Sequence, residues 1–185
     1  MNRILKTCTM VALVTLLLPL LAWAADNPLK NAKVGEWVEI VATTGTMGQK
    51  TEFKTKQTVV AKDDISVTLR RVTTMMGKEQ PPRDTKIMLN KSYEPYTQGF
   101  TDAVVTKLGE GNETIAVGGK AYNCRWVKVK VVATKPAAVE STSKFWSSKD
   151  VPVNGFVKME TESVMTIEGE TRNATTTMQL VGSGR

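Results

Sequence analysis

The side chains that most often carry covalent catalysis are scarce in this sequence. The chain has no histidine, and its two cysteines are Cys8 and Cys124. Without histidine there is no Ser–His or Cys–His nucleophile pair, and the usual histidine-containing zinc sites are excluded as well. The sequence therefore predicts a protein that is not an enzyme, with no catalytic residue, no metal site and no cofactor.

Two groups of residues could still do chemistry without histidine. Ser147, Ser148 and Lys149 stand together, but Pro152 lacks the N–H of a central strand and Gly155 favours a turn, so we interpret the stretch as a corner between two strands. A glycosidase-type site needs two apposed carboxylates. The scattered residues that could supply them are Asp63, Asp102, Glu113 and Asp150. A hydrolase that uses carboxylates is the less favoured alternative.

Cys124 is the one cysteine outside the N-terminal segment. In an extended strand it shares a face with Tyr122 and Trp126, while Arg125 points to the other face. Burial among aromatic residues disfavours the thiolate and raises the pKa of the thiol. We therefore expect a buried, unreactive thiol, with an intermolecular disulfide or a covalent role as the alternatives.

Methionines are frequent, and thioethers can bind copper(I). The sequence contains no Met-x-x-Met cluster, so we expect these side chains to pack in the core or to line an apolar ligand pocket adaptably. The methionines beyond the N-terminal segment are Met47, Met75, Met76, Met88, Met159, Met165 and Met178.

The N-terminal segment is typical of a secretory signal peptide. Arg3 and Lys6 precede an apolar run, and Ala22-Trp23-Ala24 provides small residues for cleavage after Ala24. The apolar run is shorter than the roughly 20 residues of a spanning helix. We expect residues 1–24 to be removed, no membrane span, and export to the periplasm or cell envelope of a bacterium. Residues 25–185 then form one domain.

The remaining chain is basic, with its lysines and arginines scattered rather than clustered. This pattern favours weak association with an acidic envelope polymer over nucleic-acid binding, so no nucleic-acid partner is expected.

Apolar and polar residues alternate along most of the chain. From Val157 onward, every second residue to Ile167 falls on one face, and Phe53 to Val59 behaves in the same way. Gly118-Gly119 is a two-residue hairpin signal, because glycine tolerates positive φ at both positions. We predict an all-β fold: a single antiparallel, strongly curled sheet or half-barrel of about ten strands, with little helix.

The apolar phase changes within "AYNCRWVKVKVVA". Tyr122, Cys124 and Trp126 share one face, whereas Val127 and Val129 share the other. A strand cannot change its buried face without an extra residue or a strong twist, so we predict a β-bulge near Trp126-Val127.

Three stretches resemble known exported proteins: "AKVGEWVEI", "KLGEGNETIAVGGKAYNCRWVKVKV" and "FWSSKDVPVNGFVKMETE". The sequence is similar to a group of small exported bacterial (planctomycete-type) all-β proteins of unknown function. More distantly, it resembles the lipoprotein-carrier class, the periplasmic lipoprotein chaperone and its receptor. That likeness implies a half-barrel that holds acyl chains in an apolar hollow.

These expectations combine into a functional hypothesis. The protein is predicted to be a non-catalytic periplasmic or cell-envelope binding module, with a lipid or other apolar small molecule as its partner. Phe53, Trp126, Met159 and Met165 are the candidate residues of the ligand cavity. The alternative is a structural or interaction protein of the envelope whose same residues fill a closed core without a ligand.

Overall fold

The computed structural model describes residues 27–46, 49–91, 93, 102–135, 138–167 and 170–185, apart from the side chain of Ile167. The predicted signal peptide, residues 1–24, lies outside the described residues. A short 3-10 helix, Pro28–Asn31, precedes the sheet. The strands are β1 (Trp37–Thr46), β2 (Gln49–Lys62), β3 (Ser66–Met75), β4 (Lys78–Glu79), β5 (Arg83–Met88), β6 (Val104–Val117), β7 (Lys120–Ala133), β8 (Ala138–Ser147), β9 (Phe156–Ile167) and β10 (Glu170–Gly184).

All ten strands form one antiparallel sheet built from two meanders. β1, β2 and β3 are neighbours in chain order, and β3 carries both β4 and β5 on its far side. β6 to β10 form the second meander, and β10 pairs with β1. The sheet is not closed: β6 is one edge, and β4 and β5 form the other. The predicted all-β fold with a single antiparallel sheet is confirmed.

The sheet is strongly curled. β6 lies four strands away from β10 in the sheet, yet their Cα atoms approach within 8 Å. In a flat sheet, four steps of about 4.8 Å would hold them about 19 Å apart. Curvature of this degree makes one side concave and sheltered, as the half-barrel prediction required.

The two faces of the sheet follow the predicted alternation. Met159 opposes Met178 and Phe145 on its two neighbouring strands, and Met178 opposes Ala42, so these residues share one face. Val129, Val131 and Ala133 lie on the same side and are buried, and we call it the concave face. The opposite, convex face carries many lysines and glutamates. Because alternation has period two, each strand divides apolar from charged residues between these faces.

The predicted bulge near Trp126-Val127 is wrong. β7 pairs with β8 without interruption from Arg125 to Ala133, and the register shift with β6 lies on β6, at Leu108. The first residues of β7 extend past the end of β8. There Tyr122 and Cys124 join the buried cluster from the face opposite to Val129. Twist of this projecting ribbon, rather than an extra residue, accounts for the change in apolar phase.

The main core lies at one end of the sheet. It includes Leu29 of the 3-10 helix, Val38 of β1 and Val157 of β9, each fully buried. The Gly118-Gly119 hairpin turn is confirmed, with φ of 59° and 77°. This hairpin brings Val117 and Tyr122 into the same core cluster.

The corner between β8 and β9, residues 148–155, is buried in this core. Ser148 N–H donates to the carbonyl of Gly155 at 2.8 Å, which closes the corner. Val151 and Val153 are each 4% exposed. Val153 has a φ of 66°, which is rare for a β-branched residue, and Gly155 has a φ of 71°. The predicted corner is confirmed, and its strain is held in place by burial.

Gly155→Ala should destabilise the protein by about 3 kcal/mol. The substitution adds left-handed backbone strain, and a Cβ at this position would meet the Ser148 carbonyl oxygen at 3.0 Å. Gly77→Ala is the matched control, because Gly77 has a φ of 75° with nothing within 4 Å of its Cβ position. The control should lose about 1 kcal/mol in urea unfolding. An equal loss for both variants would show that the corner tolerates a side chain.

Candidate functional site

An apolar row crosses the concave face from β2 to β7. Each residue opposes the next one in register, and Met159, Met178 and Phe145 are only partly buried against the core. The members of the apolar row are Phe53, Ala42, Met178, Met159, Phe145 and Val127. Partly buried sulfur and aromatic side chains on a sheltered face form a surface that an apolar ligand can cover.

A band of hydroxyl groups lies directly beside the apolar row. Thr44 and Thr176 are 3.2 Å apart between their Oγ1 atoms, and Ser143 Oγ lies 2.8 Å from Thr161 Oγ1. Ser163 donates to the carbonyl of Ala174 at 3.4 Å. The hydroxyl band comprises Thr44, Thr176, Thr161, Ser143, Ser163 and Ser141. The concave face therefore presents an apolar strip next to uncharged hydrogen-bonding groups.

Charged residues are kept away from the centre of this face. On β1 and β7–β10, its charged side chains are Arg125, Arg172 and Glu170. Arg172 pairs with Glu170 at 2.9 Å, and Arg125 pairs with Glu110 of the edge strand β6. Arg125, Arg172 and Glu170 lie at the two ends of the face, beyond the apolar row and the hydroxyl band. Lys107 and Glu110 of β6 share this face at its edge and pair with each other at 2.6 Å.

The convex face carries the charge of the same strands. Its lysines are largely paired with carboxylates, as in Lys54–Glu39, Lys130–Glu140, Lys144–Glu113 and Lys158–Glu160. A groove of about 210 Å³ on this face is lined by Glu39, Lys54, Lys56, Val72, Thr74 and Glu79. The mixed charges of this groove do not suit an apolar ligand.

Three of the four predicted cavity residues share the concave face. Phe53 and Met159 belong to the apolar row, and Met165 lies further along β9, opposite Val139. Trp126 opposes Trp146 and lies on the other face of the sheet from Phe53 and Met159, where it is partly buried against the core cluster. The prediction placed it with the others because the alternation in β7 did not reveal which face each half of the strand buries.

Neither Phe145 nor the hydroxyl band was predicted from the sequence, and Met178 was predicted only as one of the methionines that pack in the core or line a pocket. The alternation of Thr176, Met178 and Leu180 indicates that these three residues share one face of β10. However, only the register of β10 against β1 and β9 shows that this face is the concave one.

Trp126 belongs to a cluster with Lys144, Trp146 and Glu113, in which Trp146 is buried in the core and Trp126 is partly buried against it. The Trp126 ring covers Gly111, where a Cβ would approach the indole to 3.0 Å. Lys144 Nζ lies 4.5 Å from the centroids of both tryptophan rings and 3.3 Å from Glu113. Trp146 donates its indole N–H to Glu113, and this bond, together with Lys144, lowers the pKa of that carboxyl. The cluster ties β6, β7 and β8 together.

Cys124 is buried, as predicted, at 3% exposure. Its Sγ donates to the carbonyl of Tyr122 at 3.5 Å. Burial, and then the negative charges of Glu113 and Asp150, raise the pKa of the thiol. Arg125 lies on the opposite face and pairs with Glu110. The surroundings therefore disfavour a thiolate.

Three of the four carboxylates of the hydrolase alternative, Asp63, Asp102 and Glu113, accept hydrogen bonds, and the fourth, Asp150, lies like Glu113 near Cys124. Asp63 accepts from Ser66 in the β2–β3 turn, and Asp102 accepts from the backbone of Thr134. Glu113 has a lowered pKa, whereas a general acid needs a raised one. Among the described residues, no three acidic or cysteine side chains form a group that could hold a metal ion. None of the helices in these segments is long and apolar enough to cross a membrane.

The fold and this face define a class of protein: an open, strongly curled antiparallel sheet with a sheltered apolar side. No family model and no curated protein matches the sequence. A solved structure of similar fold is a candidate exported protein with a YmcC-like fold from Bacteroides fragilis. Its TM-score is 0.52 at 11% identity, with 83% of this chain and 97% of that chain covered.

Two further solved structures are less similar. A candidate lipoprotein from Parabacteroides distasonis has a TM-score of 0.46 at 13% identity, covering 83% of this chain and 96% of its own. A DUF1329 family protein from Desulfovibrio piger has a TM-score of 0.27 at 13% identity, with 84% and 86% covered. We draw only the fold from the Bacteroides structure and no argument from these two. The planctomycete-type relationship and the lipoprotein-carrier class stay predictions.

Glu113→Gln should lower stability at neutral pH and have less effect in acid. The folded-state pKa of Glu113 is depressed, so its stabilising contribution is present above the unfolded pKa and is lost as pH falls through the folded one. Urea unfolding of both proteins from pH 7 downward measures the difference, which should shrink below pH 4.5, the ordinary glutamate value. Glu140→Gln, on the same face, controls for loss of an exposed ion pair. A difference independent of pH would contradict this account.

Folded protein should resist thiol reagents at Cys124. Because the thiol is buried and protonated, labelling at neutral pH should be about a hundredfold slower than in denaturant. Absorbance of the released thiolate from a disulfide reagent follows the reaction, with Cys124→Ser as the blank. Rapid, stoichiometric labelling of the native protein would reopen redox or covalent chemistry at this residue.

Proposed function

We propose that this chain is a non-catalytic binding module of the bacterial cell envelope that holds a lipophilic ligand against its concave face. One observation carries the proposal: the large side chains of the apolar row are only partly buried on the sheltered face of a curled sheet. Large apolar side chains in such a position gain free energy when another apolar surface covers them, at about 25 cal/mol per Å². The curl provides walls on either side of the ligand.

Location in the envelope is supported by two features. The N-terminal segment has the charged start, apolar run and small residues of a signal peptide. The Bacteroides fragilis protein of similar fold is itself described as an exported protein. Periplasm and outer surface are equally compatible with these features.

A purely structural role with a closed core is the second reading of the same residues. The main core cluster includes Leu29, Val38 and Val157 fully buried, and Phe156 nearly so, at one end of the sheet. The apolar row continues from this core into a region where the side chains are less covered. This difference in burial along one face favours a ligand site over a filled interior.

Met159→Glu should abolish binding of a neutral lipophilic dye such as N-phenyl-1-naphthylamine. A carboxylate in the centre of the apolar row would have to lose its hydration when the dye binds, so affinity should fall at least about tenfold. Val164→Glu is the matched control, because Val164 is 43% exposed and lies on the convex face of the same strand. Dye fluorescence measures binding.

Both variants must first unfold in urea at midpoints similar to that of the wild type. Dye binding that is unaffected by Met159→Glu, or equally reduced by Val164→Glu, would place the dye elsewhere. Failure of the wild-type protein to bind the dye, together with native mass spectrometry that finds no co-purifying small molecule, would favour the structural reading.

A further inference from the structure

We propose that the ligand is an uncharged amphiphile, with its alkyl chain on the apolar row and its hydroxyl, ester or amide groups on the adjacent hydroxyl band. This inference rests on the proposed function and specifies the ligand class of the same face. It follows from three properties of the concave face: the length of the apolar row, the hydrogen bonds left open by the hydroxyl band, and the position of the charges.

The apolar row is long enough for one acyl chain. It crosses six strands, and five steps of about 4.8 Å give about 24 Å along the curve. One leaflet of a bilayer holds its acyl chains within about 15 Å, half of the hydrocarbon thickness. Phe145 and the two methionines, Met159 and Met178, occupy the middle of the row, where a flexible chain can be matched by adaptable side chains.

The hydroxyl band has hydrogen-bonding capacity that the protein does not use. A hydroxyl group offers one donor and two acceptor positions. In the Ser143–Thr161 pair, one contact of 2.8 Å uses a single donor. The Thr44–Thr176 pair is equivalent. Ser143 is 4% exposed, so the partly buried Thr161 is the member of its pair that presents its remaining hydrogen-bonding capacity to a ligand. Each pair can therefore both donate to and accept from a neutral polar group.

A charged head group would find no partner at the hydroxyl band. On β1 and β7–β10, the charged residues of this face are Arg125, Arg172 and Glu170, at its ends. The edge strand β6 adds Lys107 and Glu110, which pair with each other at 2.6 Å. Arg172 and Glu170 already pair with each other, and Arg125 pairs with Glu110. Moving a carboxylate or ammonium from water to uncharged hydroxyls, without an opposite charge, costs more than hydrogen bonds to neutral groups return. The band therefore selects against ions.

The experiment compares two ligands that share one alkyl chain, monolauroylglycerol and laurate, at a pH where laurate is ionised. Each ligand is titrated into wild-type protein that carries the dye, at ligand concentrations below the critical micelle concentration, and the displaced dye is measured by its fluorescence. The concentration of monolauroylglycerol that displaces half of the dye should be at least about tenfold lower than that of laurate. In the double variant Ser143→Ala/Thr161→Val, which removes both members of a hydrogen-bonded pair, this preference should fall to about threefold or below.

Thr142→Ala/Thr166→Val is the control, because it removes two hydroxyl groups from the convex face of the same strands. It should keep the wild-type preference. Laurate that binds as well as monolauroylglycerol would overturn the inference about the head group while dye binding still supports the proposed function. A preference that survives in the Ser143→Ala/Thr161→Val variant would overturn the role of the hydroxyl band. Absence of dye binding to the wild type would refute both proposals.

Discussion

The antiparallel pairing of β1 with β10 joins the two meanders into one sheet. Without it, β1–β5 and β6–β10 would be separate sheets, each with an additional open edge. The pairing connects segments from the two ends of the described chain, so its formation has a large entropic cost of loop closure. Its register places Ala42 against Met178 and Thr44 against Thr176. The apolar row and the hydroxyl band both depend on that register.

Trp37 helps to hold this central pair together. Its indole lies on the convex face over Gly182 and Gly184 of β10, where a Cβ at Gly184 would come within 3.1 Å of the ring. Lys56 of β2 lies 4.4 Å from the ring centroid on the same face. One side chain thus spans three strands, and the glycines allow the ring to lie against the backbone. Trp126 over Gly111 repeats the arrangement near the β6 edge.

Separation of charge between the faces links the fold to its proposed role. Lysines and carboxylates pair on the convex face, where water screens them and each pair contributes little to stability. The concave face keeps hydroxyls and apolar groups in the interior of the curl. In the proposed function, this distribution determines which ligand the concave face accepts.

The buried corner between β8 and β9 is the place where tertiary packing overrules local preference most clearly. Val153 adopts a left-handed conformation that costs about 1–3 kcal/mol. Burial of Val151 and Val153, and a hydrogen bond of 3.0 Å from Asn154 to the hydroxyl of Tyr93, offset that strain. Burial also raises the pKa of Tyr93, so its hydroxyl stays protonated and available as a partner.

Local patterns in the sequence determined the strands, the Gly118-Gly119 hairpin and the burial of Cys124, because alternation and turn chemistry act between residues close in the chain. Tertiary structure alone decided the β1–β10 register, the convex position of Trp126 and the bulge at Leu108. These features depend on which strands become neighbours and on where one strand extends past the end of its neighbour. The physical reason is that alternation with a period of two assigns the residues of a strand to two faces but does not determine which of these faces the curled sheet encloses.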